Sequence, residues 1–588
     1  MKSSAWLLVG TIVGGAVACA SSSTRGAKSS PAAGVAVVSP ASSGAAQLDT
    51  ILRAAWSKRG IVPAQPVDDS RFLRRVYLDV IGRIPTTDEL AAFQAEPVAS
   101  RRAKVVDALL ASTAYADRWT RYWDDVLLGP KIDKKFVDRE KFDGWLREEF
   151  RANVPWDKLV YELVTAKGYN REPLIETGAT GAGSNSAMSA TPPATSSAAS
   201  GPLFGSSTGA TAVGAGSSAQ PAQANGAVNW LLKYRDNPQD LAGAASATFL
   251  GVKIQCAQCH DHKTEKWKQA DFQRFAACFA TAKAIPVDGE RNGPRLVQLV
   301  ESDKPAFRRA RKGELASIAS AAPTALDGTD FSDAESRREA LARWIQSPQN
   351  PWFAKAIVNR TWGHFMGRGF VEPIDDFRAS NPVVLPELLD WLASDFVAHG
   401  FDLKYLVRTI TNSEAYQLSA GPTFGRGDGP PLWSRFPLKP LGPDELLDSI
   451  AVATDLDALL AGKDAGEFGA AKAQLRKQYE FLFDIDEESH PSTYDGTIPQ
   501  ALMLMNGRPV SRATNTVRQG ALIKLLAMPV DDSAKIEALF LRTIARKPTT
   551  EELRTLLPLV GVRGADRLEA YEDVFWSLLN SSEFIFNH

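Results

Sequence analysis

Arg71-Phe72-Leu73-Arg74-Arg75-Val76-Tyr77-Leu78-Asp79-Val80-Ile81-Gly82-Arg83-Ile84-Pro85-Thr86-Thr87-Asp88-Glu89-Leu90 is the stretch that decides the fold class. Phe72, Leu73, Val76, Tyr77 and Leu78 recur at three- and four-residue spacing with cations between them, which draws one apolar stripe along a helix. Gly82 and Pro85 stop that helix, and Thr86 with Glu89 forms a capping box that starts the next. A second amphipathic run, Arg101 to Leu128, carries Tyr115, Trp119, Tyr122 and Trp123. Helical periodicity returns at Asn229. Asp236-Asn237-Pro238 caps a helix reaching about Leu250, a further one runs from about Gln269 to Ala280, and helices dominate from Ala334 onward. The chain is expected to be mainly α, a multi-helix protein of two modules.

Composition divides the rest. Met1-Lys2, the short apolar core Ala5 to Val13, the small residues Ala16-Val17-Ala18 and then Cys19 form a secretion signal. A small residue before a cysteine reads as a lipobox, with Cys19 the lipidated residue and plain cleavage the alternative. Residues 1–19 are thus expected to be a lipoprotein signal peptide and 20–46, rich in Ser, Ala and Gly, a flexible tether. The first module is expected in two parts, 47–175 and 227–290. A disordered Gly/Ala/Ser-rich insertion, 176–226, separates them, too poor in large apolar residues to offset its ordering entropy. The second module is expected at 334–588. No later stretch has the apolar length of a membrane span, so any membrane association is expected by lipid anchor only.

Lys plus Arg number 67 against 68 acidic residues, a balance that predicts no strong steering toward nucleic acid. Four cysteines occur, Cys19, Cys256, Cys259 and Cys278. With Cys19 assigned to lipid, the odd remainder argues against a disulfide framework. Cys278 reads as a small buried hydrophobe.

The chemistry concentrates in Cys256-Ala257-Gln258-Cys259-His260. Covalent haem attachment needs two thiols one turn apart to meet two vinyl groups, and a histidine directly after them as proximal iron ligand; CxxCH supplies both. Export agrees, because attachment occurs outside the cytoplasm. Two further readings stay open: a zinc site on Cys256, Cys259, His260 and His262, and a Cys256–Cys259 disulfide. His262 lies too close to His260 to reach the opposite face of the same haem, and reads as a propionate partner. His364 is the first choice of distal ligand because it sits among Trp, Arg and Gly. Met366, His399, His490, Met503 and Met505 follow, and an open sixth position is an equal alternative. Lys263, Lys266 and Lys268 could rim the site for an electron partner. Asp375-Asp376 and Asp484 with Asp486 are carboxylate pairs that could bind a cation or act as acid and base. No GxSxG, HExxH, Walker or dinucleotide fingerprint occurs.

Short echoes recur: Ile81 to Leu90 is matched by Ile544 to Leu553, and Leu109 to Tyr115 by Leu578 to Phe584 and by Ile410 to Tyr416. Independent reuse of good caps and turns accounts for them, with a duplicated helical unit as the alternative.

Arg71 to Leu128, Asn229-Trp230-Leu231 through Leu241-Ala242, and Phe249 through His262 together resemble the first of two modules in the planctomycete cytochrome-C-associated proteins, the domain of unknown function numbered fifteen forty-nine. Asn359 to Val371, Pro373-Ile374-Asp375-Asp376-Phe377-Arg378, Asn381-Pro382, Pro386 to Leu392 and the close at Leu579 to Phe584 resemble the second, numbered fifteen fifty-three. The resemblance covers most of the chain outside the tether and the insertion. It implies an exported protein, often fused to or encoded near cytochrome c domains and paired with a secreted sulfatase-like partner; it implies no reaction. This chain departs from the pattern in lacking a separate N-terminal cytochrome c domain and in carrying the insertion. The resulting expectation is a periplasmic or outer-membrane-attached lipoprotein with one haem c, acting in electron transfer with a redox partner or in haem-based sensing. The alternatives are a metal-stabilised hydrolase or polysaccharide-handling enzyme, and a scaffold for a secreted partner.

Overall fold

The computed structural model describes residues 43–173, 224–235, 237–287, 294–302, 304–305, 317–421, 432–456, 474, 476–477, 520–561 and 565–588. Helices make up most of it, with two small sheets. Cys19, the expected signal peptide, and nearly all of the expected tether and insertion lie outside the described residues, as do His490, Met503, Met505, Asp484 and Asp486.

The deciding stretch folds as its residues dictate. Asp68 caps the Asp69–Ile81 helix by accepting from Arg71 N–H. Gly82, at φ 76°, ends it in the left-handed conformation that favours glycine, its N–H on the Tyr77 and Leu78 carbonyls. Phe72, Leu73, Val76 and Val80 are fully buried, each such side chain contributing roughly 1.5–3 kcal/mol. The capping box of the Thr87–Ala95 helix is present in both directions, and Arg83 adds a two-pronged ion pair to Glu89 at 2.7 and 2.8 Å. The Arg101 to Leu128 run, in contrast, is two helices, Arg101–Ala111 and Thr113–Leu127, because the Ser112 hydroxyl caps Tyr115 N–H and breaks the backbone. The apolar stripe continues across that break, so periodicity alone does not see it.

The echoes run deeper than reuse of caps requires. Asp531 caps the Asp532–Ile544 helix as Asp68 caps its own, and Ala545 ends it at φ 57° as Gly82 does. Arg546 then grips Glu552, and Thr549 with Glu552 forms a second capping box. Arg83 donates to its neighbour's carbonyl at Ile84, and Arg546 to Lys547. Ser112, Ser413 and Ser581 each donate to the carbonyl three residues back at 2.7 Å and each accept from the amide three residues on. From Asp68 to Leu90 and from Asp531 to Leu553 the same unit occurs twice.

Two cores hold these elements. The larger runs from Leu48 to Phe436 and takes in both expected modules, so the boundary expected at 334 falls inside one packed core. The smaller unites Leu441 and the helices that follow it with Leu78 and Ile84. A three-stranded antiparallel sheet, unforeseen in the sequence, pairs Val297–Glu301 with Ala282–Pro286 on one side and with Gly168–Tyr169 on the other. The last residues of the expected insertion join its margin, Ala224 pairing with Tyr169. No helix among the described residues is long and apolar enough to cross a membrane.

Candidate functional site

The Pro238–Leu250 helix leads to the thiols. Asn237 caps it with proline in its first turn, and Gly251 at φ 65° ends it. The chain then turns through one 3-10 turn, Gln255–Ala257, so that Ala257 is buried while Cys256 and Cys259 stand exposed as free thiols. Gln255 folds back over Gly243, where a Cβ would meet its Oε1 at 1.6 Å, and donates to Gln258 at 2.9 Å. On the far side Gln269 Nε2 donates to the Gln258 and Cys259 carbonyls at 3.1 and 3.0 Å.

The two histidines of the motif have different settings. His260 Nδ1 lies 2.7 Å from the Asp261 carbonyl. A carbonyl only accepts, so Nδ1 carries the proton and Nε2 keeps its lone pair in the neutral ring. His262 is oriented the other way: its Nδ1 accepts from Thr264 and Glu265 N–H at 3.3 and 3.1 Å, which places the ring proton on Nε2. Asp261 accepts from Gln269 N–H at 2.9 Å, and that backbone bond is the first cause holding its carboxyl below the usual range. Among the described residues no three His, Cys, Asp or Glu side chains converge on a point that would hold a metal ion, so Cys256, Cys259, His260 and His262 form no tetrahedral nest in this arrangement.

The loop is braced by residues that sequence reasoning left far away. The Gly251 carbonyl accepts from Phe377 N–H at 2.7 Å, and a Cβ at Gly251 would meet the Phe377 ring at 2.5 Å. Lys253 pairs with Asp375 at 3.0 Å. Glu265 accepts from the Ser380 hydroxyl at 3.1 Å and from Ala379 N–H at 3.4 Å. Asp375 and its neighbour Asp376, which pairs with Arg378 at 3.2 Å, are therefore ion-pair partners rather than an acid–base couple. Lys266 lies over the Trp267 ring and Lys268 pairs with Asp261; Lys263 is exposed.

His364 belongs to a different cluster. It sits near the end of the Phe353–Met366 helix with its ring among Trp119, Tyr122 and Phe365, and its Nε2 lies 3.0 Å from the Asp79 carbonyl. Burial, then the nearby Arg118 and Lys439 charges, push its pKa down to about 3. Nε2 is thus spent as a donor and the ring is packed in aromatics, so the distal ligation expected of His364 is not what this geometry offers. Met366 is fully buried in the core, and His399 stacks on Tyr405 with Nδ1 on the Asp395 carbonyl. Asp79 itself is closed: its carboxylate takes Lys439 Nζ at 2.6 Å, the Tyr416 hydroxyl at 2.7 Å and Asn587 Nδ2 at 2.8 Å. Cys278 is buried, and burial pushes its thiol far up.

The fold and the loop define a helical protein that presents two thiols and an imidazole at its surface, on a turn held between two parts of the chain. Residues 47–284 match the family model PSCyt2, a protein of unknown function (DUF1549), and residues 337–494 match PSD1, a protein of unknown function (DUF1553). The chain belongs to this two-module family. Comparison with curated proteins gives no match, and comparison with solved structures gives none.

Proposed function

We propose that the chain is an exported, lipid-anchored carrier of one covalent c-type haem, acting in electron transfer with a protein redox partner. Cys256 and Cys259 would hold the two vinyl positions and His260 Nε2 the iron; a haem so bound supplies one-electron redox chemistry. The observation that carries this reading is the His260 Nδ1–Asp261 carbonyl bond. An iron-ligating imidazole ordinarily donates its other N–H to a carbonyl or carboxylate, which fixes the tautomer and aims Nε2 outward. The Asp261 carbonyl already holds that N–H, beside two free, exposed thiols. The 3-10 turn spaces the thiols, the two Gln269 bonds hold the turn, and His262 Nε2–H is left as a donor suited to an anionic propionate. Export and the lipid on Cys19 rest on the sequence of residues 1–19.

The test is expression of the full precursor in a bacterium able to mature c-type cytochromes, followed by denaturing electrophoresis and a haem-peroxidase stain. A stained band that vanishes in the Cys256→Ser, Cys259→Ser double variant is expected. An unstained wild type that is folded and exported to the membrane would end the reading.

A further inference from the structure

Three contacts cross from the first family module to one loop of the second, and they bracket the thiols. Before Cys256 come the Gly251 carbonyl on Phe377 N–H and the Lys253–Asp375 pair. After His260 comes Glu265 on Ser380 and Ala379. The receiving loop is braced from behind. Buried Asn359 donates to the Val371 and Ile374 carbonyls and accepts from Phe370 and Val371 N–H. Asn381 donates to the Glu372 and Asp376 carbonyls at 2.7 and 3.0 Å. A segment with that many buried backbone bonds answered is a preorganised surface rather than a loose connection.

We infer that the functional site is a joint one: the 370–381 loop of the second module is part of it, and Glu265 is the positioning residue that fixes the Cys256–His260 turn against that loop. The first module supplies the thiols and imidazole. Without the second, the segment from Lys253 to Trp267 keeps, among the described residues, its own turn bonds, the links of Gln255 to Asp240 and of Gln269 to the Gln258 and Cys259 carbonyls and the Asp261 carboxylate, and the buried side chains of Ile254 and Ala257, while Trp267 loses the Trp352 ring it packs on. At its far end Glu265 hydrogen-bonds across the junction through two acceptor oxygens, beside Trp267 and Lys266, whose side chains meet the Trp352 ring of the second module. The inference deepens the haem reading, and one of its readouts needs no haem.

The experiment uses the full chain as wild type, Glu265→Ala, Glu265→Gln and Ser380→Ala. In haem-free protein, backbone hydrogen exchange is followed by mass spectrometry. Glu265→Ala is expected to speed exchange several-fold in both the 254–267 and the 375–381 peptides, Ser380→Ala to give a smaller increase in both, and Glu265→Gln to restore most of the protection. In haem-loaded protein the same series is titrated potentiometrically. A midpoint shift in Glu265→Ala that Glu265→Gln reverses is expected. Exchange unchanged in either segment, or exchange altered with an unmoved potential, overturns the joint site. If no haem is ever attached, the exchange series alone decides, so failure of the haem reading and failure of the joint are told apart.

Discussion

The Cys256–Trp267 loop and the Asp79 cluster are both polar, both contain a histidine bonded to a backbone carbonyl, and both join distant parts of the chain, yet they are built to opposite ends. In the loop, backbone groups take up the atoms that do not matter and leave two thiols and His260 Nε2 open. In the cluster the charged and ring groups are consumed, with Asn587 Oδ1 left unanswered among the described residues: Asp79 by Lys439, Tyr416 and Asn587 Nδ2, Lys439 also by the His364 and Phe365 carbonyls, and His364 by Asp79's own carbonyl. Burial raises Tyr416 well above its ordinary range and lowers Lys439 and His364. Chemistry belongs where polar atoms are aimed and unspent. A closed buried network fixes which elements meet, and it is strongly destabilising to break one side of it.

The two regions part most sharply at the thiols. Changing Cys256 and Cys259 together to serine is expected to abolish covalent haem while leaving the thermal unfolding midpoint of the haem-free chain unchanged, as measured by differential scanning calorimetry, because both are exposed, free thiols. Asp79→Ala is expected to do the reverse: a loss of about 3–5 kcal/mol in urea unfolding, because Lys439 is left buried without its partner, and no loss of thiol accessibility in the fraction that stays folded. A smaller effect is expected from His364→Ala, roughly 1–3 kcal/mol of destabilisation from the unanswered Asp79 carbonyl and the vacated ring site, with the haem visible spectrum unmoved. A changed spectrum would make His364 a ligand after all and erase the distinction between the two regions.

Further effects are read against pH. Burial raises Asp124, which faces Asp143 across the Thr113–Leu127 and Arg139–Ala152 helices, to about 7. Its folded value exceeds its unfolded one, so the stability it contributes is full below about pH 4 and is lost as pH rises toward 7. His364, folded near 3 against an ordinary value of 6.5, acts in the opposite sense and costs stability as pH falls from 6.5 toward 3. Stability of Asp124→Asn relative to wild type should therefore climb with pH between 4 and 7. That of His364→Ala relative to wild type should climb as pH falls below 6.5, each by at most about 1.4 kcal/mol per pH unit for one proton. Both are obtained from urea midpoints across a buffer series; difference curves without slope would contradict the assigned burial.

Much of this was legible in the residues. The Phe72 to Leu78 stripe, Gly82, and Thr86 with Glu89 give the helix, its stop and the next start, because caps and stripes are local. CxxCH gives the thiols and imidazole for the same reason. The Ser112 break was missed because a strong apolar stripe on both sides masks a single cap. The hairpin of Ala282–Pro286 and Val297–Glu301 was missed because short strands at a sheet margin show too little alternation to register. The setting of His364 was not legible because its neighbours in sequence, Trp362 and Arg368, say nothing of Asp79, which lies hundreds of residues away. Asp375 and Asp376 stood out as acidic neighbours, but their pairing with Lys253 and Arg378 is a fact of tertiary structure. The brace on the thiol loop is non-local throughout, and no local rule reaches it.

The most direct measurement is the intact mass of the purified mature chain after denaturation and thiol alkylation, taken with its alkaline pyridine spectrum. The expected result is a chain one haem heavier, with alkylation at Cys278 alone among Cys256, Cys259 and Cys278. A chain of bare polypeptide mass that takes up alkylating agent at all three would contradict it.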